Sequence, residues 1–323
     1  MIILRSPVAC LCCWLMAGGF AQAQGYPERP VRVIVGSAAG GNADIVARIV
    51  SQGLARKLEQ QFIVDNRAGA NGIIGMEIAA KAPPDGYTLM HAATNQVINP
   101  ALHPRISYDF VKDFTPIGLV GVTPLVLTIT KALPATSVKE LVAIARARPR
   151  ELSFASAGTG SPGHMAAVLF NIASRVAMVH VPYKATTHAM TDLTSGQVQV
   201  MFPTLSAVLP QINAGRLRGL AITSRERSAL APAMPTMHEA GIAGYEASIW
   251  NGWLAPAGTP ATIISKLHEN LVQILQAPET RERYAAVGVD PMTSITPAAF
   301  GRFYADEIRK WAKVVREAGV SIE

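Results

Sequence analysis

Three loops rich in small and hydroxyl-bearing residues are where this sequence could do chemistry. They are Gly36–Asp44, Ala93–Asn99 and Ser156–His164; each follows a predicted strand, and the first and third lead into predicted helices. Free backbone N–H groups at a helix start attract anions, and small side chains let a ligand come close to them. The first loop could equally be an ordinary turn, since such turns often use glycine. The pattern is therefore compatible both with a site for a small anion and with purely structural turns.

The third loop also matches the G-x-G-x-x-G pattern of dinucleotide-binding proteins, at Gly158–Gly163. A dinucleotide fold needs an acidic residue about 20 positions further on, at the end of the next strand, to hold the ribose. Here that strand is His180–Tyr183, and Lys184 follows it with no acid nearby. We therefore predict no nucleotide and no other cofactor, but a small anion near the hydroxyls of Thr159 and Ser161.

Sequence patterns typical of metal sites or of catalytic serines are weak or missing in this chain. The seven histidines include no pair at i, i+4 and no interleaved acids at ligand spacing, so no metal site is predicted. Ser161 does not lie in a G-x-S-x-G motif, because Thr159 occupies the first position. We predict no catalytic residue, although a Ser-His-Asp triad assembled in space would make the chain an exported hydrolase.

Alternating strand-like and helix-like runs must position these loops, which predicts an α/β fold with parallel sheets. Strands are predicted at 31–35, 62–65, 87–92, 125–130, 152–155, 178–181, 198–202 and 217–223. Helices are predicted at 43–58, 72–81, 137–148, 165–173, 185–195, 205–214, 261–276, 279–287 and 297–318. Trp250 and Trp253 are interpreted as core residues, because aromatic side chains mostly bury their area.

The central unit can close on itself, which predicts two lobes with a cleft between them. Residues 122–223 would form lobe 2, and residues 24–121 together with 224–323 would form lobe 1. The chain would cross between the lobes near Val122 and Thr223. Ligands of α/β lobes bind at the carboxyl ends of strands, which is where the three loops lie.

Residues 1–23 have the form of a secretory signal peptide. Arg5 precedes a short apolar run, and Ala21-Gln22-Ala23 provides an A-x-A cleavage site. All three cysteines lie in this segment, so the mature chain has none. Lys and Arg outnumber Asp and Glu by 29 to 22, but they are scattered. This indicates a solvated surface with a mild preference for anions, and no nucleic-acid partner.

Motifs spread over the whole mature chain resemble those of one family. They include Tyr26–Pro30, Gly40–Asp44, Asn66–Ala70, Pro84–Thr88, Asn99–Leu102, Asp113-Phe114, Ser161–His164, Val181–Lys184 and Leu254–Pro260. In this order they resemble the Bug-type extracytoplasmic receptors of tripartite tricarboxylate transporters. The resemblance implies a two-lobed periplasmic binding protein of the type II-like class, each lobe a mostly parallel sheet flanked by helices. It also implies a monomer that closes on a small carboxylate and delivers it to membrane transporter subunits.

The resemblance further implies which residues hold the ligand, mainly through backbone N–H groups, hydroxyls and ordered waters. The implied set is Ser37, Ala39, Gly40, Gly41, Asn42, Thr94, Asn95, Gln96, Ala157, Gly158, Thr159, Gly160, Ser161, Tyr183 and Thr204. Such an anion site needs no lysine, because fixed amide dipoles carry the attraction.

The chain departs from the family pattern at two places. Ser37-Ala38-Ala39 stands where the family usually has prolines, and Pro203-Thr204 stands where it usually has an aspartate. If that aspartate supports a ligand ammonium or a bridging water, an amino-acid ligand is disfavoured here. A di- or aromatic carboxylate is then the expected ligand. The alternatives are an exported hydrolase and a receptor that acts as a sensor without its own transporter.

Overall fold

The computed structural model describes residues 25–103 and 105–321, and the predicted signal peptide lies outside the described residues. The strands are β1 Val31–Val35, β2 Phe62–Asn66, β3 Thr88–Ala93, β4 Phe114–Pro124, β5 Val126–Thr130, β6 Ser153–Ser156, β7 Val179–Pro182, β8 Val200–Met201, β9 Leu217–Ile222, β10 Ser248–Pro256 and β11 Asp290–Pro291. The helices are α1 Asn42–Leu58, α2 Ile73–Ala80, α3 Thr94–Leu102, α4 Val138–Ala147, α5 Pro162–Ser174, α6 Thr186–Ser195, α7 Leu205–Asn213, α8 Ala261–Gln276, α9 Pro278–Ala286 and α10 Pro297–Ala318.

The strands form two sheets flanked by helices, which confirms the predicted α/β class. One sheet has the order β11-β4-β10-β3-β1-β2, and the other has the order β7-β6-β8-β5-β9. The chain leaves the first sheet between β4 and β5 and returns between β9 and β10. The four strands at these two crossings lie next to one another within their sheets, as β4 with β10 and as β5 with β9.

The expectation of mostly parallel sheets is wrong, because both sheets are mixed. The strands β1, β2 and β3 pair in parallel, as do β6, β7 and β8. The crossing strands pair antiparallel with their neighbours, β10 with β3 and β4, and β5 with β8 and β9. A strand that enters from the other sheet is not tied to a right-handed βαβ crossover, so nothing forces it to run parallel.

The predicted helices and strands that carry clear periodicity are present, with boundaries shifted by a few residues. Helices α8 and α10 begin and end where the sequence predicts them, and Ser137 caps α4 by accepting the Glu140 N–H at 3.2 Å. The two-residue strand β11 was not predicted, and neither were three longer elements, the strands β4 and β10 and the helix α3. All three contain glycine, proline or asparagine within a buried stretch, which hides their pattern.

The core confirms the interpretation of the two tryptophans on β10. Trp250 and Trp253 are 1% and 0% exposed. Phe300 of α10 packs edge-on against Trp250, with ring centroids 5.7 Å apart. Helix α10 also packs on α3, β4 and α5, so one continuous apolar cluster reaches both sheets. Among residues 25–103 and 105–321, no helix combines the length and apolar character needed to cross a bilayer.

Candidate functional site

The turn between β1 and α1, residues 36–41, is held by hydrogen bonds to two polar residues, the partly exposed Asn66 and the buried Asp44. Asn66, at the end of β2, donates to the Ser37 carbonyl at 3.0 Å and to Asp44 Oδ1 at 2.9 Å. Asp44, which is 2% exposed, accepts the Gly40 N–H at 2.8 Å. Gly40 has a φ of 81°, a conformation that glycine adopts without strain. The turn therefore has a defined shape, with Ala39 and Gly41 at its exposed tip.

Asp44 remains ionised beneath this turn. Burial opposes its ionisation, but hydrogen bonds from Arg48, Gly40 and Asn66 outweigh it and hold the pKa of the carboxyl below its usual value. Arg48 also forms an ion pair with Asp44 at 3.0 Å, one helical turn away. The pair is close to neutral as a unit, so the turn itself carries little net charge.

The segment 94–96, predicted as a polar loop or a capping turn, forms the first turn of α3. Thr94 Oγ1 donates to the Ser248 carbonyl at 3.1 Å and accepts the Trp250 N–H at 2.8 Å. Gln96 Oε1 accepts the Ala93 N–H at 2.6 Å. Both side chains are buried, whereas Asn95 is partly exposed. This segment is thus tied to β10, next to the point where the chain re-enters the first sheet.

A close backbone contact joins this segment to the 36–41 turn. A Cβ added to Gly72 would lie 2.4 Å from Gln96 Nε2 and 3.0 Å from the Gly36 carbonyl oxygen. Asn95 Nδ2 donates to the Asn71 carbonyl at 2.6 Å, and Asn71 has a φ of 54°. The turn at 69–72 therefore lies between the two predicted ligand-binding segments of the first sheet.

A directional chain of hydrogen bonds links the 36–41 turn to both crossing strands of the first sheet. Asn42 Nδ2 donates to Thr123 Oγ1 on β4 at 3.2 Å, and Asn42 Oδ1 accepts from Asn251 Nδ2 on β10 at 3.1 Å. Asn251 Oδ1 lies 3.0 Å from His91 Nε2. His91 is buried, which lowers its pKa to about 4, so it is neutral and can donate through Nε2.

In the second sheet, the loop 157–161 between β6 and α5 is shaped by hydrogen bonds to its own glycines. Ser156 Oγ accepts the Gly158 N–H at 3.2 Å, and His164 Nδ1 accepts the Gly160 N–H at 3.1 Å. Gly158 and Gly160 have φ values of 112° and 78°. Thr159 is exposed, and within the described residues its N–H has no hydrogen-bond partner.

Two stacked histidines lie behind this loop. The rings of His164 and His180 are 4.0 Å apart, and both stack on Phe154. Burial, together with the nearby His180, lowers the pKa of His164 to about 3. His164 Nδ1 is therefore unprotonated and free to accept the glycine N–H. His164 thus packs against aromatic rings and accepts a hydrogen bond.

The two serines near these histidines differ in their contacts and exposure. Ser161 Oγ accepts the His164 N–H at 3.4 Å and so caps α5. Ser156 Oγ lies 2.6 Å from His180 Nε2, but Ser156 is only 1% exposed. Among the described residues, no group of three or more His, Cys, Asp or Glu side chains is arranged to hold a metal ion.

The last two predicted residues of the second sheet differ in their surroundings. Tyr183 follows β7, and its hydroxyl donates to Asp192 at 2.7 Å. Desolvation and this carboxylate raise the pKa of Tyr183 to about 12, so it remains a phenol. Thr204 is the cap residue of α7 and forms an isolated β-bridge with Leu125.

Residues from the predicted sites of both sheets meet at the crossing between β4 and β5. Asn42 contacts Thr123, and Thr204 bridges to Leu125 two residues later. At the second crossing, Thr94 contacts Ser248. A surface groove of about 610 Å³ lies between α6 and α7. A second groove, of about 580 Å³, lies beside α5 and the end of α10, and Thr159, His164 and His180 form part of its lining. The predicted site residues therefore lie partly at the crossings and partly beside this second groove.

Several residues that shape this site were not among those predicted for it. They are Asn66, Asn71, His91, Thr123, Ser156 and Asn251. Asp44 and His164 were noted only as parts of motifs or as a packed residue. Their spacing, four residues after a glycine of a strand-to-helix turn, is the signal that sequence reasoning could have used.

Two mixed sheets flanked by helices and joined by two crossings are the architecture of periplasmic binding proteins. The family model described as "Tripartite tricarboxylate transporter family receptor" matches residues 46–320. Protein BugT of Bordetella pertussis is 39% identical over 300 residues, which cover 92% of this chain and 92% of BugT. The chain therefore belongs to the receptor family of tripartite tricarboxylate transporters.

Two similar solved structures come from Rhodopseudomonas palustris and contain carboxylates. One protein, with adipate, is 34% identical with a TM-score of 0.76, over 92% of this chain and 100% of that one. The other, MatC with bound malate, is 31% identical with a TM-score of 0.73, over 90% of this chain and 100% of that one.

Proposed function

We propose that the mature chain is a periplasmic receptor that binds a small carboxylate between two lobes and delivers it to a tripartite-type membrane transporter. Family membership supports the receptor role, and the adipate and malate in the two relatives support a carboxylate ligand. The proposal includes removal of residues 1–23 during export, a monomeric state and the absence of catalysis.

The observation that carries this proposal is the meeting of both sheets' site residues at one crossing. Asn42 of the first sheet and Thr204 of the second contact positions 123 and 125 of the same crossing segment. A ligand held there would touch both lobes, and bridging favours a closed state over an open one. The lobes we propose are 24–121 with 224–323, and 122–223. The membership of β4, β5, β9 and β10 in the two sheets supports this division.

The groups near the proposed ligand suit a carboxylate that is held by backbone N–H and hydroxyl dipoles rather than by charged side chains. Neither the 37–42 turn nor the 157–161 loop contains a lysine or arginine. Ala39 and Thr159 are exposed next to glycines whose N–H groups already have partners. We propose that the N–H groups of these two segments that have no partner among the described residues donate hydrogen bonds to the carboxylate oxygens. The hydroxyls of Ser37, Thr159 and Ser161 would donate to the carboxylate as well.

The ligand is proposed to be a plain dicarboxylate or an aromatic carboxylate rather than an amino acid. Thr204 supplies a hydroxyl where relatives usually carry an aspartate, so no carboxylate is available there to balance an ammonium group. Replacing this threonine with an acid would restore a negative charge beside Leu125. Thr204→Asp should therefore weaken dicarboxylate binding by like-charge repulsion, whereas Thr204→Ser should preserve it.

Calorimetry on the purified chain 24–323 tests the function directly. Malate, adipate and aspartate would be the acidic probes, and adipamide would be the neutral control of matched length. We expect saturable one-to-one binding of at least one dicarboxylate and no binding of adipamide. Binding of adipamide as tightly as adipate, or turnover of any probe, would contradict the proposal.

A further inference from the structure

Three helices that begin in or just after a predicted ligand-binding segment carry a buried hydrogen-bond acceptor at their third residue. These residues are Asp44 in α1, Gln96 in α3 and His164 in α5. Their exposed fractions are 2%, 3% and 4%. Aspartate, glutamine and histidine differ in chemistry, so the shared feature is the position and the acceptor atom rather than the residue type.

In each case the acceptor reaches back to a backbone N–H at the start of the helix. Asp44 Oδ2 accepts from Gly40 at 2.8 Å, and His164 Nδ1 accepts from Gly160 at 3.1 Å. Both glycines precede the cap residue, and their φ values of 81° and 78° are nearly equal. Gln96 Oε1 accepts from the cap residue Ala93 itself. The bonds resemble one half of a capping box, shifted by one residue in α1 and α5.

Each acceptor is itself held in place by a second element. Asn66 from β2 donates to Asp44, and the amide of Gln96 lies against Gly36 and Gly72. His164 stacks on Phe154 of β6, and its ring centroid lies 4.0 Å from that of His180 on β7. A side chain held this firmly can fix the backbone of the turn that it contacts.

We propose that Asp44, Gln96 and His164 are positioning residues for the ligand, an inference that rests on the proposed carboxylate site. They occupy the N–H groups of Gly40, Ala93 and Gly160 and so hold each turn in one shape. The ligand then meets the neighbouring N–H groups, such as that of Thr159, in a fixed arrangement. Because a fixed arrangement needs no ordering on binding, loss of an acceptor weakens ligand affinity.

A fourth helix start provides a control for this bond. Glu140 is the third residue of α4, and its Oε2 accepts the Thr136 N–H at 2.6 Å. Glu140 is exposed, unlike the other three acceptors, and α4 does not follow a predicted ligand-binding segment. Glu140→Ala removes the same kind of hydrogen bond without touching the candidate site.

The test compares His164→Asn with His164→Leu. An asparagine Oδ1 atom reaches the position of the histidine Nδ1 atom and still accepts a hydrogen bond, whereas leucine fills similar space without an acceptor. Amide hydrogen exchange of Gly160 is measured by NMR in the ligand-free protein, and affinity for malate and adipate is measured by calorimetry. Melting temperatures identify any variant that fails to fold.

We expect His164→Leu to speed exchange at Gly160 and to weaken carboxylate binding, each by about 3- to 10-fold, as for the loss of one neutral hydrogen bond. His164→Asn should restore most of both, and Glu140→Ala should change neither. Equal exchange at Gly160 in both His164 variants would overturn the inference, as would faster exchange with unchanged affinity. Failure of the wild-type chain to bind any carboxylate would instead overturn the proposed function. The exchange rate of the Gly160 amide would still show whether His164 holds that N–H group.

If His164→Leu does not fold, the same comparison moves to Gln96. Gln96→Glu keeps the Oε1 acceptor for the Ala93 N–H but adds a negative charge, so it serves only the exchange measurement, and Gln96→Met removes the acceptor at similar length. Faster exchange at Ala93 in Gln96→Met alone, together with weaker carboxylate binding by Gln96→Met than by the wild type, would support the inference. Identical exchange at Ala93 in the two variants, or wild-type affinity in Gln96→Met, would overturn it.

Discussion

Thr123 is a buried residue through which the proposed binding site can be perturbed. It is fully buried on β4, and its Oγ1 accepts a hydrogen bond from Asn42 Nδ2 at 3.2 Å. Thr123→Val keeps the shape of the side chain but removes this acceptor. Asn42 would then be held only by Asn251 on β10, because its other side-chain contact is the bond from Asn251 Nδ2.

The size of the effect follows from the one bond that is lost. A neutral side-chain hydrogen bond contributes about 0.5–1.5 kcal/mol, which corresponds to about 2- to 12-fold in an equilibrium constant. Ligand affinity falls only to the extent that the free energy of this hydrogen bond differs between the ligand-free and ligand-bound states. We therefore expect Thr123→Val to weaken carboxylate binding by up to about 10-fold in the wild-type background, and by much less in Asn42→Ala, where the bond to Thr123 is already absent.

Thr123→Ser is the matched control, because it keeps the hydroxyl oxygen and removes only a methyl group. It should cost about 1 kcal/mol of stability through the small cavity, yet keep the affinity. Calorimetry with malate or adipate measures affinity, and urea unfolding measures stability. Wild-type affinity in Thr123→Val together with weakened binding in Thr123→Ser would refute the role assigned to this hydrogen bond.

Three further predictions address the glycine loop, the buried histidines and export. Gly160→Val should abolish carboxylate binding, because Gly160 has a φ of 78°, which valine does not readily adopt. Lys184→Ala, at an exposed position, should have the smaller effect. Calorimetry on both folded variants measures the two affinities, and the reverse order would contradict this prediction. His91 and His164 have folded-state pKa values of about 4 and about 3, so the unfolded chain takes up their protons first, near pH 6.5. The free energy of unfolding should therefore fall as the pH drops from about 6.5 toward 4, by up to about 1.4 kcal/mol per histidine per pH unit, and these groups should not affect it above that range; equal stability in urea at pH 7 and pH 5 would count against it. The exported protein should begin at Gln24, which intact mass measurement on the periplasmic fraction would show, and a retained or lipid-modified N-terminus would be inconsistent with this.

The sequence predicted those elements whose apolar periodicity is uninterrupted. Helix α10 and strand β1 are examples, since their buried positions follow a clear period. Strand β4 was missed because Pro116, Gly118 and Gly121 break its pattern, although it pairs with neighbours along its length. A fully buried strand between two others needs no alternation of polar and apolar residues, so local sequence does not reveal it.

The candidate site was predictable only where its contacts are local. The glycine turns and their hydroxyl residues could be found from spacing alone. The chain from His91 through Asn251 to Asn42 could not, because its members are joined only by the folding of β3, β10 and α1. The prediction of mostly parallel strands was wrong for the same reason. The antiparallel pairing of the crossing strands depends on where the chain re-enters each sheet.

Amide chemical shifts of the chain 24–323, followed during titration with malate and with adipate, test the two-sheet carboxylate site most directly. Amides in both the 37–42 turn and the 157–161 loop should shift together, with one shared dissociation constant, for at least one of these carboxylates. Shifts confined to one of the two segments, or saturable binding that leaves both unchanged, would contradict a site formed between the sheets.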